Sequence, residues 1–214
     1  MFSGENMHYN QDYFNWQKNI GAFGGYANYF KFSKYISQSD NVVDFGCGGG
    51  FLLKQIDCRG KIGIEINDVA REDALNNEIN AVKCPTEVPD NFADVIISNH
   101  ALEHVESPLE ILKELYPKLK EDGHIVFVVP HQKPNEKFIE GDINNHLYTW
   151  NPLTLGNLFK EAGFKIKKVD LIYHTWPPYY TKIASIFGLN IFNVICRIYA
   201  SLKRTCQVRV VATK

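Results

Sequence analysis

The sequence predicts an α/β fold in which strands and helices alternate around a doubly wound sheet. Three observations support this prediction. Short, strongly apolar segments alternate with segments of helical periodicity over residues 42–129. The segment 124–129 is almost continuously apolar, which is typical of a strand that helices cover on both faces. The first apolar segment ends in Asp44 and passes directly into the glycine cluster 46–50, as expected for a strand, a tight turn and a helix start.

The individual elements follow from these periodicities and from helix-capping residues. Pro108 opens a predicted helix, Asn151 and Pro152 begin another, and Gly163 ends it. The predicted strands cover 42–45, 61–66, 81–83, 93–98, 124–129, 164–173 and 205–213. The predicted helices cover 26–38, 49–57, 68–77, 108–119 and 151–162, with a short helix and loop over 1–24 and a polar loop over 131–150.

Composition and charge exclude several classes of protein. The 23 Lys and Arg residues nearly balance the 24 Asp and Glu residues, so a nucleic-acid partner is not expected. Five scattered cysteines without a C-x-x-C pair argue against disulfides or a zinc site, and the sequence starts without a signal region, so we expect a cytoplasmic protein. The 214 residues predict a single domain over 1–214. It has a helical cap over 1–39, a core over 40–173 and 205–214, and a helical insertion over 174–204.

Four motifs, in order, carry a resemblance to a known family. The first is Asp44-x-Gly46-x-Gly48-x-Gly50, and the second is a strand that ends in Glu65 about twenty residues later. The third, 92–105, reads FADVIISNHALEHV, and the fourth, 119–127, reads LKEDGHIVF. Over roughly 40–214 the chain resembles the class I, Rossmann-like methyltransferases of small molecules, which use S-adenosylmethionine (SAM). The resemblance implies a seven-stranded, mostly parallel sheet with an antiparallel last strand, and SAM as cofactor.

The resemblance also implies a set of cofactor-binding residues. Asp44 would lie near the methionine amino group, Gly46 and Gly48 under the methionine and ribose, Glu65 at the ribose, and Ile66 against the adenine. Pro85 stands where family members often carry an acid that meets the adenine amino group, so Thr86 or Glu87 would supply that contact. Cys47 and Asn99 complete the predicted set.

A hydroxyl acceptor must lose a proton during methyl transfer, and histidine is the usual base near neutral pH. Three candidate bases follow strands of the predicted sheet: His100, His131 and His146. Each is alternatively a loop histidine bonded to backbone, and His104 is expected to be structural. A metal site built from His131, His146, Glu140 and Asp142 lacks a short rigid spacing, so no metal is predicted.

The segment 176–204 carries an apolar stripe at helical spacing: Ile183, Phe187, Ile191, Val194, Ile195, Ile198 and Leu202. This stripe predicts a helix that either covers the acceptor pocket or forms the contact face of a homodimer. A membrane span is not expected, because Asn190, Asn193 and Arg197 interrupt the run. Basic residues beside the stripe leave a membrane-surface role as an alternative, without a permanent anchor.

We therefore predict a SAM-dependent methyltransferase that acts on a small-molecule or saccharide hydroxyl, the saccharide being free or linked to a carrier. Alternatives are methyl transfer to nitrogen or carbon and a non-catalytic partner subunit with the same fold. A more distant alternative is a nicotinamide-linked oxidoreductase. Phe51 disfavours it, because the dinucleotide fingerprint requires a glycine at that position.

Overall fold

Seven strands form one sheet within the described residues of the structure, which is a computed structural model. It describes residues 11–133, 135–142 and 144–214, with side chains from Ile20 onward, so the first ten residues of the predicted cap lie outside it. The strand order is β3-β2-β1-β4-β5-β7-β6, and only β7 runs antiparallel to its neighbours. The strands are β1 (Asn41–Phe45), β2 (Gly60–Ile64), β3 (Ala81–Val82), β4 (Ala93–Asn99), β5 (Leu119–His131), β6 (Lys165–Ile172) and β7 (Cys206–Thr213). The predicted fold class is confirmed.

Helices connect the strands and cover both faces of the sheet. They are α1 (Gln11–Asn28), α2 (Phe51–Lys54), α3 (Asp68–Asn76), α4 (Pro108–Leu115), α5 (Pro152–Glu161) and α6 (Tyr180–Lys203). Capping fixes where several of them begin. The Asn67 side chain accepts hydrogen bonds from the first amides of α3, and the Asn151 side chain accepts one from the Thr154 amide of α5.

The buried core lies on both sides of the sheet, as the apolar strand sequences predict. On one face Phe127 of β5 packs among residues of α4 and α5, with its ring centroid 5.4 Å from that of Phe159. On the other face its neighbour Val126 packs in a cluster with Leu53 of α2. Alternate residues of β5 therefore serve opposite layers, which is the period-two geometry of a strand.

The first described helix differs from the one predicted over 26–38. Helix α1 ends at Asn28, and the chain continues in two 3-10 turns, Tyr29–Lys31 and Ser33–Tyr35. The prediction treated the glycines before residue 26 as breaks, but they lie inside α1. A Cβ at Gly25 would lie 2.3 Å from the backbone oxygen of Phe51. The glycines therefore allow α1 to approach the start of α2 closely, and they do not end the helix.

Further boundaries differ from the predictions. Helix α4 ends at Leu115, where a helix over 108–119 is predicted, and a 3-10 turn over Tyr116–Lys118 follows it. Helix α2 spans only Phe51–Lys54, where a helix over 49–57 is predicted. Strand β5 begins at Leu119 and extends to His131, beyond the predicted 124–129. Its first residue pairs with Ala93, and the register then shifts before Val95 pairs with His124. The predicted turn before strand five is thus absorbed into a bulge, an irregularity that hydrophobic periodicity does not reveal.

Helix α6 is apolar on two opposite faces. Phe192, Cys196 and Ala200 are buried at a spacing of four residues, and Phe192 lies 5.6 Å from Phe23 of α1, measured between ring centroids. The opposite face of the segment after Gly188 exposes Ile191, Val194, Ile198 and Leu202. Gly188, with a φ of +70° and a ψ of +168°, kinks α6, and Phe187 is exposed just before this kink. By length and composition alone α6 could cross a membrane, and 17% of its most apolar window is buried in the structure.

The two faces of α6 predict different responses to mutation. Phe192→Ala removes a fully buried ring and should lower the free energy of unfolding by about 3–5 kcal/mol. Phe187→Ala, its matched control at an exposed position, should change this free energy by less than about 1 kcal/mol. Urea denaturation of both variants measures the difference. Equal losses of stability would contradict the assignment of the buried face.

Candidate active site

A cavity of about 490 Å³ opens at the carboxyl ends of β1 and β4. This edge is where ligands bind in open α/β sheets, and the volume suits a small-molecule site. Its walls come from α1, from the turn after β1, from the segment after β4 and from the residues that precede α6. The lining residues used below are Lys31, Asp44, Gly46, Cys47, Gly48, Asn99, His100, Glu103, His104, His146 and Gln207.

The turn after β1 is fastened to the end of β2. The amides of Gly46 and Cys47 donate to the Ile64 carbonyl at 2.9 and 3.1 Å. The Gly48 amide donates to the Glu65 carboxylate at 2.9 Å, and the other oxygen of this carboxylate accepts from the Asn67 amide at 2.8 Å. Glu65 therefore holds the glycine turn in place in addition to its predicted role at the ribose.

The glycines of this turn serve different purposes. Gly46 has a φ of +75°, and a Cβ there would lie 2.3 Å from the Cβ of Ala101, so this glycine permits a close approach of two chain segments. Gly48 has a φ of +53°, and a Cβ there would meet nothing within 4 Å. The open space above Gly48 is cavity space, so the absence of a side chain leaves room for a ligand against the backbone.

Asp44 ends β1 at the floor of the cavity and is 2% exposed. Burial, with the nearby Glu65 carboxylate, raises the pKa of Asp44 well above its usual range. A cationic amino group beside it would offset this cost. Asp44, which a cationic ligand would keep ionised, lies next to an open glycine turn. This arrangement fits the amino acid portion of SAM.

The structure separates the predicted cofactor residues into two groups. Five of them line the cavity: Asp44, Gly46, Cys47, Gly48 and Asn99. Glu65 lies behind the turn, and neither Ile66, which is 51% exposed, nor Thr86, which is exposed, lines the cavity. Both follow the carboxyl ends of β2 and β3, where Ile64 pairs with Val82, so they lie at the same sheet edge. Their contacts with the ribose and the adenine remain predictions.

The far end of the cavity is built around Glu103, which is fully buried. Its Oε1 lies 3.7 Å from His100 Nδ1 and 3.9 Å from the Nε2 atoms of both His104 and His146. The His104 and His146 rings are 4.9 Å apart between centroids. The amide of Leu147 donates to the Glu103 carbonyl at 2.9 Å, which holds the loop after β5 against this end of the cavity.

Burial determines the protonation of these groups. It raises the pKa of Glu103 to about 8 and lowers the pKa of His104 to about 4. Burial, together with the charge of Lys31, lowers the pKa of His100 to about 3, and burial also lowers the pKa of His146. All three imidazoles are therefore neutral near pH 7.

The predicted histidines do not share one location. His100 and His146 line the cavity, and so does His104, which was predicted to be structural. His100 sits at a φ of +59°, a strained conformation of the kind that accumulates at functional sites. His131 does not line the cavity, because its Nδ1 lies 2.7 Å from the Trp150 carbonyl. Of the residues considered above as metal ligands (His131, Glu140, Asp142 and His146), only His146 lies in this cluster.

Two cavity residues with charged side chains, of the Lys and Glu types, were not predicted from the sequence. One is Glu103. The other is Lys31, which is 1% exposed and donates from Nζ to Asn99 Oδ1 at 2.8 Å and to Gln207 Oε1 at 2.6 Å. Burial lowers the pKa of Lys31 to about 7, although the Glu103 carboxylate opposes this shift. Lys31 interrupts the aromatic stretch Tyr29-Phe30-Lys31-Phe32, and this interruption is the signal that could have singled it out.

A pair of glycine substitutions tests the cofactor end of the cavity. Gly48→Ala places a methyl group in the space above the turn and should weaken SAM binding by tenfold or more, which is about 1.4 kcal/mol. Gly141→Ala is the control, since Gly141 also has a positive φ and open space around its Cβ position but does not line the cavity. Both variants should lose a similar amount of stability, about 1–2 kcal/mol. Calorimetric titration with SAM that finds equal affinity in both variants would contradict this assignment.

Known proteins agree with this geometry. A family model described as "Methyltransferase domain" matches residues 24–169. A ubiquinone biosynthesis O-methyltransferase of Pseudomonas putida is 26% identical over 162 residues, which cover 64% of this chain and 68% of that protein.

Solved structures show the same fold at lower identity. A SAM-dependent methyltransferase from Archaeoglobus fulgidus has a TM-score of 0.61 at 23% identity, with 92% of this chain and 94% of that chain covered. A phosphoethanolamine N-methyltransferase 2 from Haemonchus contortus, solved with phosphomonomethylethanolamine and S-adenosylhomocysteine, has a TM-score of 0.57 at 12% identity, with 90% and 57% covered. The family match spans more than half of the chain, so the chain belongs to the methyltransferase-domain family and is a class I methyltransferase that uses SAM.

Proposed function

We propose that this enzyme transfers the methyl group of SAM to a hydroxyl oxygen of a small molecule. One observation carries the proposal: the cavity that begins at the glycine turn ends at buried polar groups around Glu103 and Lys31. SAM supplies the methyl group when bound. The residues of the chain hold the acceptor, keep water away from it and take up its proton.

The charges at this end favour an oxygen acceptor over an amine. Lys31 is cationic when protonated, and the three histidines are neutral, so their N–H groups can donate to an acceptor oxygen. These groups stabilise the negative charge that forms on a hydroxyl as it loses its proton. An amine acceptor would instead become cationic when it is methylated, and it would then place a second positive charge near the protonated Lys31. The O-methyltransferase relative from P. putida supports the same choice.

Lys31 is the residue that the structure favours as proton acceptor. A neutral amine with a pKa near 7 can take a proton from a hydroxyl, most readily from a phenolic one with a pKa of about 10. Saccharide hydroxyls, the other predicted acceptor class, are less acidic. Phe51 and Trp176 add aromatic surface to the cavity wall, which also suits a planar acceptor.

The acceptor atom can be determined with matched compounds. We expect methyl transfer from SAM to a catechol and no transfer to the diamine with the same ring. A panel of sugars tests saccharide hydroxyls as acceptors in the same assay. Mass spectrometry locates the added methyl group, and release of S-adenosylhomocysteine gives the rate. Methylation of the diamine alone would refute the proposed oxygen acceptor.

A second experiment tests Lys31. Turnover of the parent enzyme should fall as the pH is lowered through about 7, because the neutral amine is lost by protonation. The charged and titratable groups that act on Lys31 are Glu103, His100 and His174, and the Arg209 guanidinium donates to its carbonyl oxygen.

Lys31→Met should lower turnover about a hundredfold and remove this pH step. Lys34→Met is the control, since Lys34 is exposed one turn away and does not line the cavity. Parent-like turnover with an unchanged pH profile in Lys31→Met would show that another group, such as His146, accepts the proton.

Two remaining expectations are also proposals. No residue of α6 lines the cavity, although Thr175 and Trp176 just before it do. The exposed stripe of α6 thus favours the homodimer among the two predicted roles, and light scattering of a Phe187→Asp, Ile191→Asp variant tests it. The cytoplasmic location is the second of these proposals, and the scattered cysteines support it.

A further inference from the structure

We propose that Glu103, His104 and His146 form a binding site for a divalent transition-metal ion, and that zinc is the ion this donor set fits best. Each residue offers one ligand atom, and these atoms all lie within 4.8 Å of one another. Two imidazoles and one carboxylate form the ligand set of catalytic zinc sites, which keep a fourth position open. Magnesium and calcium prefer sites made only of oxygen ligands, so the two imidazoles disfavour them.

The distances need some adjustment to hold an ion. Glu103 Oε1 lies 3.9 Å from the Nε2 atoms of His104 and of His146. A tetrahedral zinc ion with bonds of about 2.0–2.2 Å holds its ligand atoms roughly 3.3–3.6 Å apart. The separations from Oε1 therefore have to shorten by about half an ångström. The remaining separation, which is at most 4.8 Å, has to shorten by up to about 1.5 Å.

Glu103 and His146 carry buried polar side-chain atoms that the other described residues leave without a hydrogen bond. Both carboxylate oxygens of Glu103 and the Nδ1 of His146 are buried without a hydrogen-bond partner among the described residues. A buried carboxylate without partners is costly, and proteins usually resolve this cost by pairing the group or by coordinating a metal. A metal ion would give these atoms the partner they lack.

Short tethers hold the three ligands in place. Glu103 and His104 are neighbours in the 3-10 turn Leu102–His104, which follows β4. The loop that carries His146 is fastened to this turn by the amides of Leu147 and Tyr148, which donate to the Glu103 carbonyl at 2.9 and 3.3 Å. The ligands are thus positioned by backbone contacts, as a binding site requires.

The proposed metal site also faces the part of the cavity in which the acceptor would bind. All three residues line the cavity that contains the glycine turn, so an ion there has an open position toward the acceptor. An ion that binds the acceptor oxygen lowers the pKa of the hydroxyl and favours its deprotonation. This role rests on the proposed function, whereas the binding of the ion does not.

Metal binding can be measured without any activity assay. The full chain is treated with a chelator, dialysed and titrated with Zn²⁺ in a calorimeter in the absence of SAM. We expect one ion per chain. Glu103→Gln and His146→Ala should each weaken binding by about a hundredfold or more. His131→Ala is the matched control and should bind as the parent does, because His131 lies outside the cavity.

Circular dichroism and SAM titration show whether each variant remains folded. If the buried Glu103→Gln substitution prevents folding, His146→Ala, which changes a loop residue, decides the question. The proposal is overturned if the parent takes up no Zn²⁺, or if His146→Ala binds it as tightly as His131→Ala does.

The outcomes separate this site from the proposed function. A parent that binds Zn²⁺ at this cluster but methylates only amines retains the metal site and loses the proposed hydroxyl acceptor. A parent that methylates catechol equally well after chelation, and takes up no Zn²⁺, retains the proposed function and loses the metal site.

Discussion

The hydrogen bond from the Gly48 amide to the Glu65 carboxylate is the contact on which the site depends most directly. It joins the end of β1 to the end of β2 and keeps the open glycine turn at the edge of the sheet. A hydrogen bond to a charged acceptor contributes about 1.5–3 kcal/mol. Without it, the turn would lose the geometry that leaves cavity space above Gly48 and beside Asp44. The family motif thus holds the turn in place, in addition to its predicted role in cofactor binding.

The opposite end of the cavity depends on groups from four distant parts of the chain. Lys31 follows α1, Glu103 follows β4, His146 comes from the loop after β5, and Gln207 is the second residue of β7. Burial of these groups is costly, and each lowers or raises the pKa of its neighbours. Partners that satisfy these groups would therefore stabilise the arrangement. An acceptor hydroxyl and a metal ion are the two partners whose chemistry matches the groups present.

The sequence predicts the sheet well because its signals are local. Alternating apolar segments identify the strands, and Asp44 with Gly46 and Gly48 identifies the turn that forms the cavity floor. The polar end could not be predicted in the same way. Lys31 reaches Asn99 across 68 positions and Gln207 across 176, so its role depends on tertiary packing and not on spacing.

The predictions that differ from the structure do so for specific physical reasons. Gly25 reads as a helix break, yet it lies inside α1, where a backbone contact leaves no room for a Cβ. His131 follows a strand at the correct edge of the sheet, but the Trp150 carbonyl draws its ring away from the cavity. The position of His131 in the sequence correctly predicted the edge of the sheet at which it lies. It could not predict the direction in which the His131 side chain points.

The central claim is that one cavity holds the cofactor at the glycine turn and the acceptor at the Glu103 end. A crystal structure with S-adenosylhomocysteine tests it most directly. The account predicts the homocysteine portion between Asp44 and Gly48, with its sulfur directed toward Glu103. A cofactor bound elsewhere, or with its sulfur directed away from Glu103, would contradict the account.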